Sequence, residues 1–320
     1  MYSHIKESHY VITVIIAAYN AEKTIGRAIL SALAEPEVSE IVVVDDASTD
    51  QTASVARRFD DGSGRLKVLM QAVNAGPSAA RNRALHDSSA PWVTVLDSDD
   101  FILKGRMARL LKHSVGYDFV ADDMYQVDEG DIDGDRRLLL GDKVTFPMAV
   151  SLTEFVMSNV TDKNRERAEL GFIKPLMRRS FLEKNNLTYR EDMRLGEDYE
   201  LYARALGMGG KMILLAAQGY VSVVRSASLS SKHSEHDLLQ LRNSDDGLMH
   251  DLVLTPQAFE ALKQHRISID YRLQWRLMIT AVKERDFYSF FRTFTHHPLV
   301  TLSLLGQLWE QFKIRVLKKV

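Results

Sequence analysis

The chain has 320 residues with 45% hydrophobic and 26% charged side chains, the composition of a soluble globular protein with room for about two domains and a sizeable core. Its formal charge of −2 gives no global basic field for nucleic acid. It has no cysteine, which excludes disulfides, thiolate metal sites and cysteine nucleophiles and fits a reducing compartment.

The first nine residues are polar and lead directly into a strand, so no signal peptide is expected. No apolar run reaches the roughly 18 residues a membrane span needs. Residues 10–17 read as a buried strand, followed by a turn at Tyr19-Asn20. Ile25, Ala28, Ile29, Ala32 and Leu33 recur at helical spacing within residues 22–34. A second strand, residues 40–44, ends at Asp45-Asp46. Ser48 or Thr49 is the expected cap of a helix over residues 51–59. Residues 66–70 form a third strand, and Asn74-Ala75-Gly76-Pro77 is turn chemistry before a helix over residues 78–85. Residues 92–96 form the fourth strand, which runs straight into Asp97, Asp99 and Asp100.

Strands and helices that alternate four times on short connections predict a parallel sheet with helices on both faces. Ligands bind such sheets beyond the carboxyl ends of the strands. Tyr19, Asp45, Asp46, Arg81 and the Asp97–Asp100 turn all fall at that edge. Three carboxylates so close together call for a positive partner. A hard divalent cation shared with a phosphate is one answer, and a solvated surface turn is the other.

Later residues alternate less regularly. Helices are expected at residues 104–113, 152–158, 178–185 and 197–206, and strands at 118–125, 212–216 and 220–224. Asp122-Asp123 closes a strand or lies near an acceptor, and residues 128–137 read as an acidic loop. Gly62-Ser63-Gly64 is a turn rather than a phosphate loop, because no Gly-Lys-Ser/Thr follows it. Beyond Lys232 helices are expected at residues 238–253, 257–265, 271–284 and 287–295, with their apolar stripes as core faces. His233 and His236 have too few companions to read as a metal site. At residues 299–320, Leu302, Leu305, Leu308, Trp309, Phe312 and Val316 follow helical spacing, with Lys313, Arg315, Lys318 and Lys319 at the end. This segment fits an interfacial helix on anionic lipid, and equally one packed on the domain or on a second subunit in a homodimer.

Five motifs in order resemble the bacterial family 2 glycosyltransferases of GT-A fold, in the branch of succinoglycan-type exopolysaccharide synthesis. They are Val14–Asn20, Val43–Asp50, Asn74–Asn82, Leu96–Asp100 and Gly196–Asp198. The resemblance covers roughly residues 10–230, and the main departure is Ala17, where many relatives have proline. It implies an α/β, Rossmann-like, mostly parallel GT-A domain over residues 1–235; residues 236–320 are expected to form a helical region for membrane association or dimerisation. It implies that Ala17, Tyr19 and Asp46 hold the nucleoside, with the Tyr19 ring on the base and Asp46 on uracil. Arg81 would approach base or phosphates, Asp99 the ribose and Asp100 a Mn²⁺ or Mg²⁺ ion, while Asp97 shapes the turn. Asp198 would be the catalytic base, with Glu197 as its competitor. Acids in a first helical turn are also favoured simply by the helix dipole. Arg225, Ser228 and Ser230 would close over the donor or form a solvated loop.

The resulting expectation is an inverting, metal-dependent hexosyltransferase. It would carry glucose or a related sugar from a UDP-sugar to a lipid-linked saccharide, in the cytoplasm or peripherally on the inner membrane face, without nucleic acid. The alternatives are a non-catalytic nucleotide-sugar-binding scaffold and a nucleotidyltransferase. The latter would want a glycine-rich basic loop where Ala17-Ala18-Tyr19-Asn20 stands.

Overall fold

The computed structural model describes residues 11–141, 144–160, 168–225 and 234–317, with the backbone alone at 315–317. In chain order the first half consists of β1 (Ile12–Ala18), α1 (Ile25–Leu33), β2 (Val38–Asp45), α2 (Thr52–Arg58), β3 (Leu66–Met70), α3 (Pro77–His86), β4 (Trp92–Val95), β5 (Phe101–Ile102), α4 (Arg106–Leu111) and β6 (Phe119–Asp128). The second half adds β7 (Arg137–Leu138), β8 (Met148–Val150), α5 (Leu152–Ser158), β9 (Leu176–Arg178), α6 (Arg179–Lys184), α7 (Glu197–Gly207), β10 (Met212–Val224), α8 (Glu235–Asp251), α9 (Pro256–Glu284), α10 (Phe287–Arg292) and α11 (Pro298–Leu317).

One mixed sheet runs in the order β3-β2-β1-β4-β9-β6-β10-β5, with β7 on β6 and β8 on β10. β3, β2, β1 and β4 are mutually parallel, as are β6 and β10. β9 is antiparallel to both β4 and β6 and joins these two parallel blocks. This is the expected α/β, GT-A and Rossmann-like architecture with a helical C-terminal region.

The strands read as unbroken apolar runs because helices cover both faces. Val14 and Ile16 pack with Ile25, Ala28 and Ile29 of α1, while Ile15 and Val95 pack on the other face with Ala80 and Ala84 of α3. Gly26 lets α1 and α2 approach closely, since a Cβ there would stand 2.3 Å from the Phe59 ring. Leu238, Leu248, Leu262 and Leu273 of α8 and α9 share one core with Phe155 and Tyr202 of α5 and α7. The C-terminal helices therefore brace the helix that carries Glu197 and Asp198.

Four expectations need correction. Neither Ser48 nor Thr49 caps α2. Instead Asp50 Oδ1 accepts from the Thr52 amide (2.9 Å) and hydroxyl (2.5 Å), while Ser48 and Thr49 bond Asn20. Residues 257–265 and 271–284 belong to one 29-residue helix, α9. Residues 212–216 and 220–224 form one strand, β10, whose pairing with β6 shifts register between Leu215 and Tyr220. The Asp122-Asp123 pair is buried scaffolding, since Asp122 pairs with Arg106 at 2.7 Å and Asp123 accepts the amides of Met124, Leu140 and Gly141.

Candidate active site

Parallel register sets the polar residues side by side. Ala18 pairs with Asp45, Asp45 with Met70, and Ile15 with Val95, so the carboxyl ends of β1, β2, β3 and β4 share an edge. Ala17, half-buried, is the penultimate residue of β1, opposite Val44. Tyr19 follows it and is 50% exposed. Asn20 ties the first loop to the second: its amide donates to Ser48 Oγ and its Oδ1 accepts the Thr49 amide, both at 2.9 Å.

Asp46 is buried, and both its oxygens serve the loop before α3. Oδ1 accepts from Gln71 Nε2 and the Ala75 amide, and Oδ2 from the Gly76 amide, each at 2.8 Å. This carboxylate therefore shapes the β3–α3 loop whatever else it touches. Its neighbour Asp45 is just as buried, and its Oδ1 has no hydrogen-bond partner. A buried acceptor left open at a strand end is free for a ligand donor.

A charge network joins the turn after β4 to the start of α7. Arg81, on α3 and nearly inaccessible, reaches Asp97 Oδ1 (2.9 Å), Glu197 Oε1 (2.7 Å) and Asp198 Oδ1 (3.4 Å). Lys174 Nζ, between the Leu170–Phe172 turn and β9, lies 2.6 Å from Asp198 Oδ2 and 3.2 Å from Asp97 Oδ2. Gly196 makes the turn into α7: its φ of 76° is left-handed, and Leu241 leaves no room there for a Cβ.

Burial would raise the Asp97 carboxyl, but Lys174 and Arg81 outweigh it and hold the group down at about 2. Burial likewise works against the Lys174 and Arg81 cations, yet the surrounding carboxylates keep both above their ordinary values. Glu197 is pushed up by burial despite Arg81.

Asp99 and Asp100 are placed differently. Asp99 Oδ2 lies 3.4 Å from Arg225 Nε, and the Asp99 carbonyl accepts from Arg27 at 2.5 Å. Burial, and then the Asp97 charge, raise the Asp99 carboxyl. Asp100 Oδ2 accepts from the Tyr220 hydroxyl and Oδ1 from the Val223 amide, both at 2.8 Å. Among the described residues no basic side chain pairs with Asp100. Burial, reinforced by Asp97 and Asp99, lifts its carboxyl to about 8.

Arg27 is attracted to Asp100 without forming an ion pair with it, and a divalent ion would offset the remaining repulsion from Asp97 and Asp99. Among the described residues no three acids or histidines gather into a self-sufficient metal site. The donor set fits Mg²⁺ or Mn²⁺ held by one or two carboxylates and completed by phosphate and water. Asp97, Asp100, Lys174, Ser222, Val223 and Arg225 line one cleft of about 280 Å³, together with Glu169 and Phe172. Tyr19, Asp46 and Asp198 do not line it, and Asp198 sits one ion pair behind it, through Lys174.

Lys174 and Tyr220 are the residues that reading the sequence missed. A lone lysine in the apolar run Phe172-Ile173-Lys174-Pro175-Leu176 was the available signal, beside acids known to want a positive partner. Ser228, Ser230 and His233 lie outside the described residues, as do Tyr10, Lys318 and Lys319. His236 is exposed on α8.

Comparison with known proteins matches residues 13–181 to the family described as Glycosyl transferase family 2. The chain is 41% identical over 295 residues to the succinoglycan biosynthesis protein ExoU of Rhizobium meliloti, covering 92% of this chain and 86% of that one. It is 36% identical over 224 residues to ExoO of the same organism, covering 68% of this chain and 62% of that one. In three dimensions it resembles Staphylococcus aureus TarS 1-349 in complex with UDP-GlcNAc, with a TM-score of 0.62 at 19% identity over 93% of this chain and 92% of that one. The last similarity is one of fold.

Proposed function

The chain belongs to glycosyl transferase family 2, and from that premise we propose that it moves a hexose, glucose or a close relative, from a UDP-sugar to a lipid-linked saccharide in exopolysaccharide synthesis, with inversion. The observation that carries this reading is the meeting of Asp97, Arg81, Lys174 and Asp198 from four separate segments at the carboxyl edge of the sheet. The 41% identity to a succinoglycan biosynthesis protein supports the polysaccharide setting. Residues 1–235 hold every group assigned below. Residues 236–320 serve as brace and docking region, at the cytoplasmic face of the membrane.

Tyr19 offers its half-exposed ring to the base, and the backbone at Ala17 lets the nucleoside lie against the end of β1. The buried acids at the end of β2 accept from the uracil, with Asp45 Oδ1 open for that bond and Asp46 holding the neighbouring loop. Asp99 takes the ribose hydroxyls, and Arg81 and Arg225 bring positive charge toward the diphosphate. Asp100 would hold Mn²⁺ or Mg²⁺, which supplies Lewis acidity to the leaving diphosphate when bound.

Asp198 accepts the acceptor hydroxyl proton as the new oxygen–carbon bond forms and the bond to phosphate breaks. Such general-base help is typically worth about 10²–10⁴-fold. Lys174 and Arg81 orient that carboxylate between turnovers, through ion pairs at 2.6 and 3.4 Å.

The test is UDP release over a panel of UDP-sugars with a lipid-linked saccharide, with Mn²⁺ or Mg²⁺ and with chelator, and NMR of the product anomer. Turnover with a UDP-hexose, an inverted anomer and loss on chelation are expected. A retained anomer, or turnover confined to another nucleotide, would overturn the proposal.

A further inference from the structure

Helix α11 carries two apolar faces. Val300 and Leu304 are fully buried where the helix packs against α9. On the opposite side, Leu302, Leu305, Trp309 and Phe312 follow 3-4-3 spacing and stand 65%, 52%, 58% and 58% exposed. One amphipathic face suffices to dock a helix on its own protein. A second apolar face turned to solvent needs another occupant. Just before it, α10 exposes Phe287, Tyr288 and Phe291 beside a depression of about 520 Å³ that includes Arg292.

The sequence of this segment is one-sided in charge. Residues 287–320 contain Arg292, Lys313, Arg315, Lys318 and Lys319 against the single acid Glu310, although the chain as a whole is net acidic. The Trp309 and Phe312 rings stack at 5.7 Å, and Lys313 Nζ lies 5.7 Å from the Trp309 ring centre. An aromatic ridge with Lys313 beside it, itself paired with Glu310 at 2.9 Å, suits the boundary between lipid tails and head groups.

We propose that the outer face of α11 docks this protein on an anionic lipid bilayer, with the helix lying in the plane of the surface. No helix among the described residues is long and apolar enough to cross a membrane, so the attachment is to one face only. A two-fold dimer through this face would bring two copies of the cationic segment together, which charge disfavours. A negative surface attracts the same cations at about fivefold in affinity for each one near it. The inference rests on the surface alone and holds whatever sugar or acceptor the active site takes.

The test is co-sedimentation of the full chain with phosphatidylcholine vesicles and with equal parts phosphatidylcholine and phosphatidylglycerol. Wild type is expected to sediment with the mixed vesicles, at least tenfold more weakly with phosphatidylcholine alone, and to lose binding as salt rises. The Leu305→Ser/Trp309→Ser/Phe312→Ser variant should bind at least tenfold more weakly, with unchanged circular dichroism. A blue shift in tryptophan emission on vesicle addition should vanish in Trp309→Phe, which still sediments. Wild type that stays in the supernatant overturns the proposal, and so does a dimer that the triple variant splits.

Discussion

Lys174 Nζ lies 2.6 Å from Asp198 Oδ2 and 3.2 Å from Asp97 Oδ2, and so bridges the end of β4 to the first turn of α7. Its side chain is 6% exposed and that of Asp198 9%, so little solvent screens that pair, while Asp97 is 33% exposed. Removing one partner of a buried ion pair leaves an uncompensated charge and costs about 3–5 kcal/mol. Arg81 shares both acids and softens the loss.

Lys174→Met should therefore destabilise the protein by about 3 kcal/mol near neutral pH. The sign with pH follows from Asp97, whose carboxyl is depressed to about 2. A depressed acid contributes stability above its unfolded value, near 4, and loses it as pH falls toward 2. Chemical denaturation at falling pH should show the gap between wild type and variant narrowing below pH 4. A constant gap would mean that Lys174 acts through packing and not through charge.

Tyr220 is the second link to probe. Its hydroxyl donates to Asp100 and accepts the Asp97 amide (3.2 Å) from within the core. Tyr220→Phe keeps the ring and removes both bonds, at about 0.5–1.5 kcal/mol for each. The Asp100 carboxyl should rise further, because burial already raises it and this hydroxyl opposes the rise. Metal affinity measured by calorimetry in the presence of UDP should weaken, while the nucleotide alone should bind about as before.

Arg106 and Asp122 pair at 2.7 Å with both side chains fully buried. Arg106 also donates to the Lys174 carbonyl at 2.7 Å and lies over the Tyr220 ring at 5.3 Å. Arg106→Met should cost about 3–5 kcal/mol and lower the melting temperature sharply. Turnover per folded molecule should fall as well, since the same guanidinium holds the backbone of Lys174.

The parallel half of the sheet was legible because a strand covered on both faces is apolar throughout and its polar residues begin where it ends. Leu66–Met70 coincides with its expected bounds, and Tyr19, Asp46 and Asp97 fall at the shared edge as their positions implied. The gap expected within α9 spans residues 266–270, which include Ser268 and Asp270. Ser268 donates to the His265 carbonyl at 2.7 Å, and Asp270 forms ion pairs with Arg242 and Arg266, so both sit inside one helix. The gap expected between residues 216 and 220 is likewise absent, since β10 runs through Gln218 and Gly219, with Gly219 at φ 130°.

The demand for positive charge at the acidic turn was visible in the residues themselves, but its source was not. Lys174 is 77 positions from Asp97, with no periodicity linking them, so only the folded chain identifies it. The protein's own cations hold only Asp97 down, while burial and like charge keep both Asp99 and Asp100 raised.

The base assignment can be tested by measuring kcat for UDP release beside UDP affinity by calorimetry in wild type, Asp198→Asn and Glu197→Gln. The account predicts that Asp198→Asn lowers kcat by about 10²–10⁴-fold while UDP affinity stays within a few-fold, with a smaller loss in Glu197→Gln. Turnover that survives in Asp198→Asn, or a larger loss in Glu197→Gln with Asp198→Asn near wild type, would contradict it.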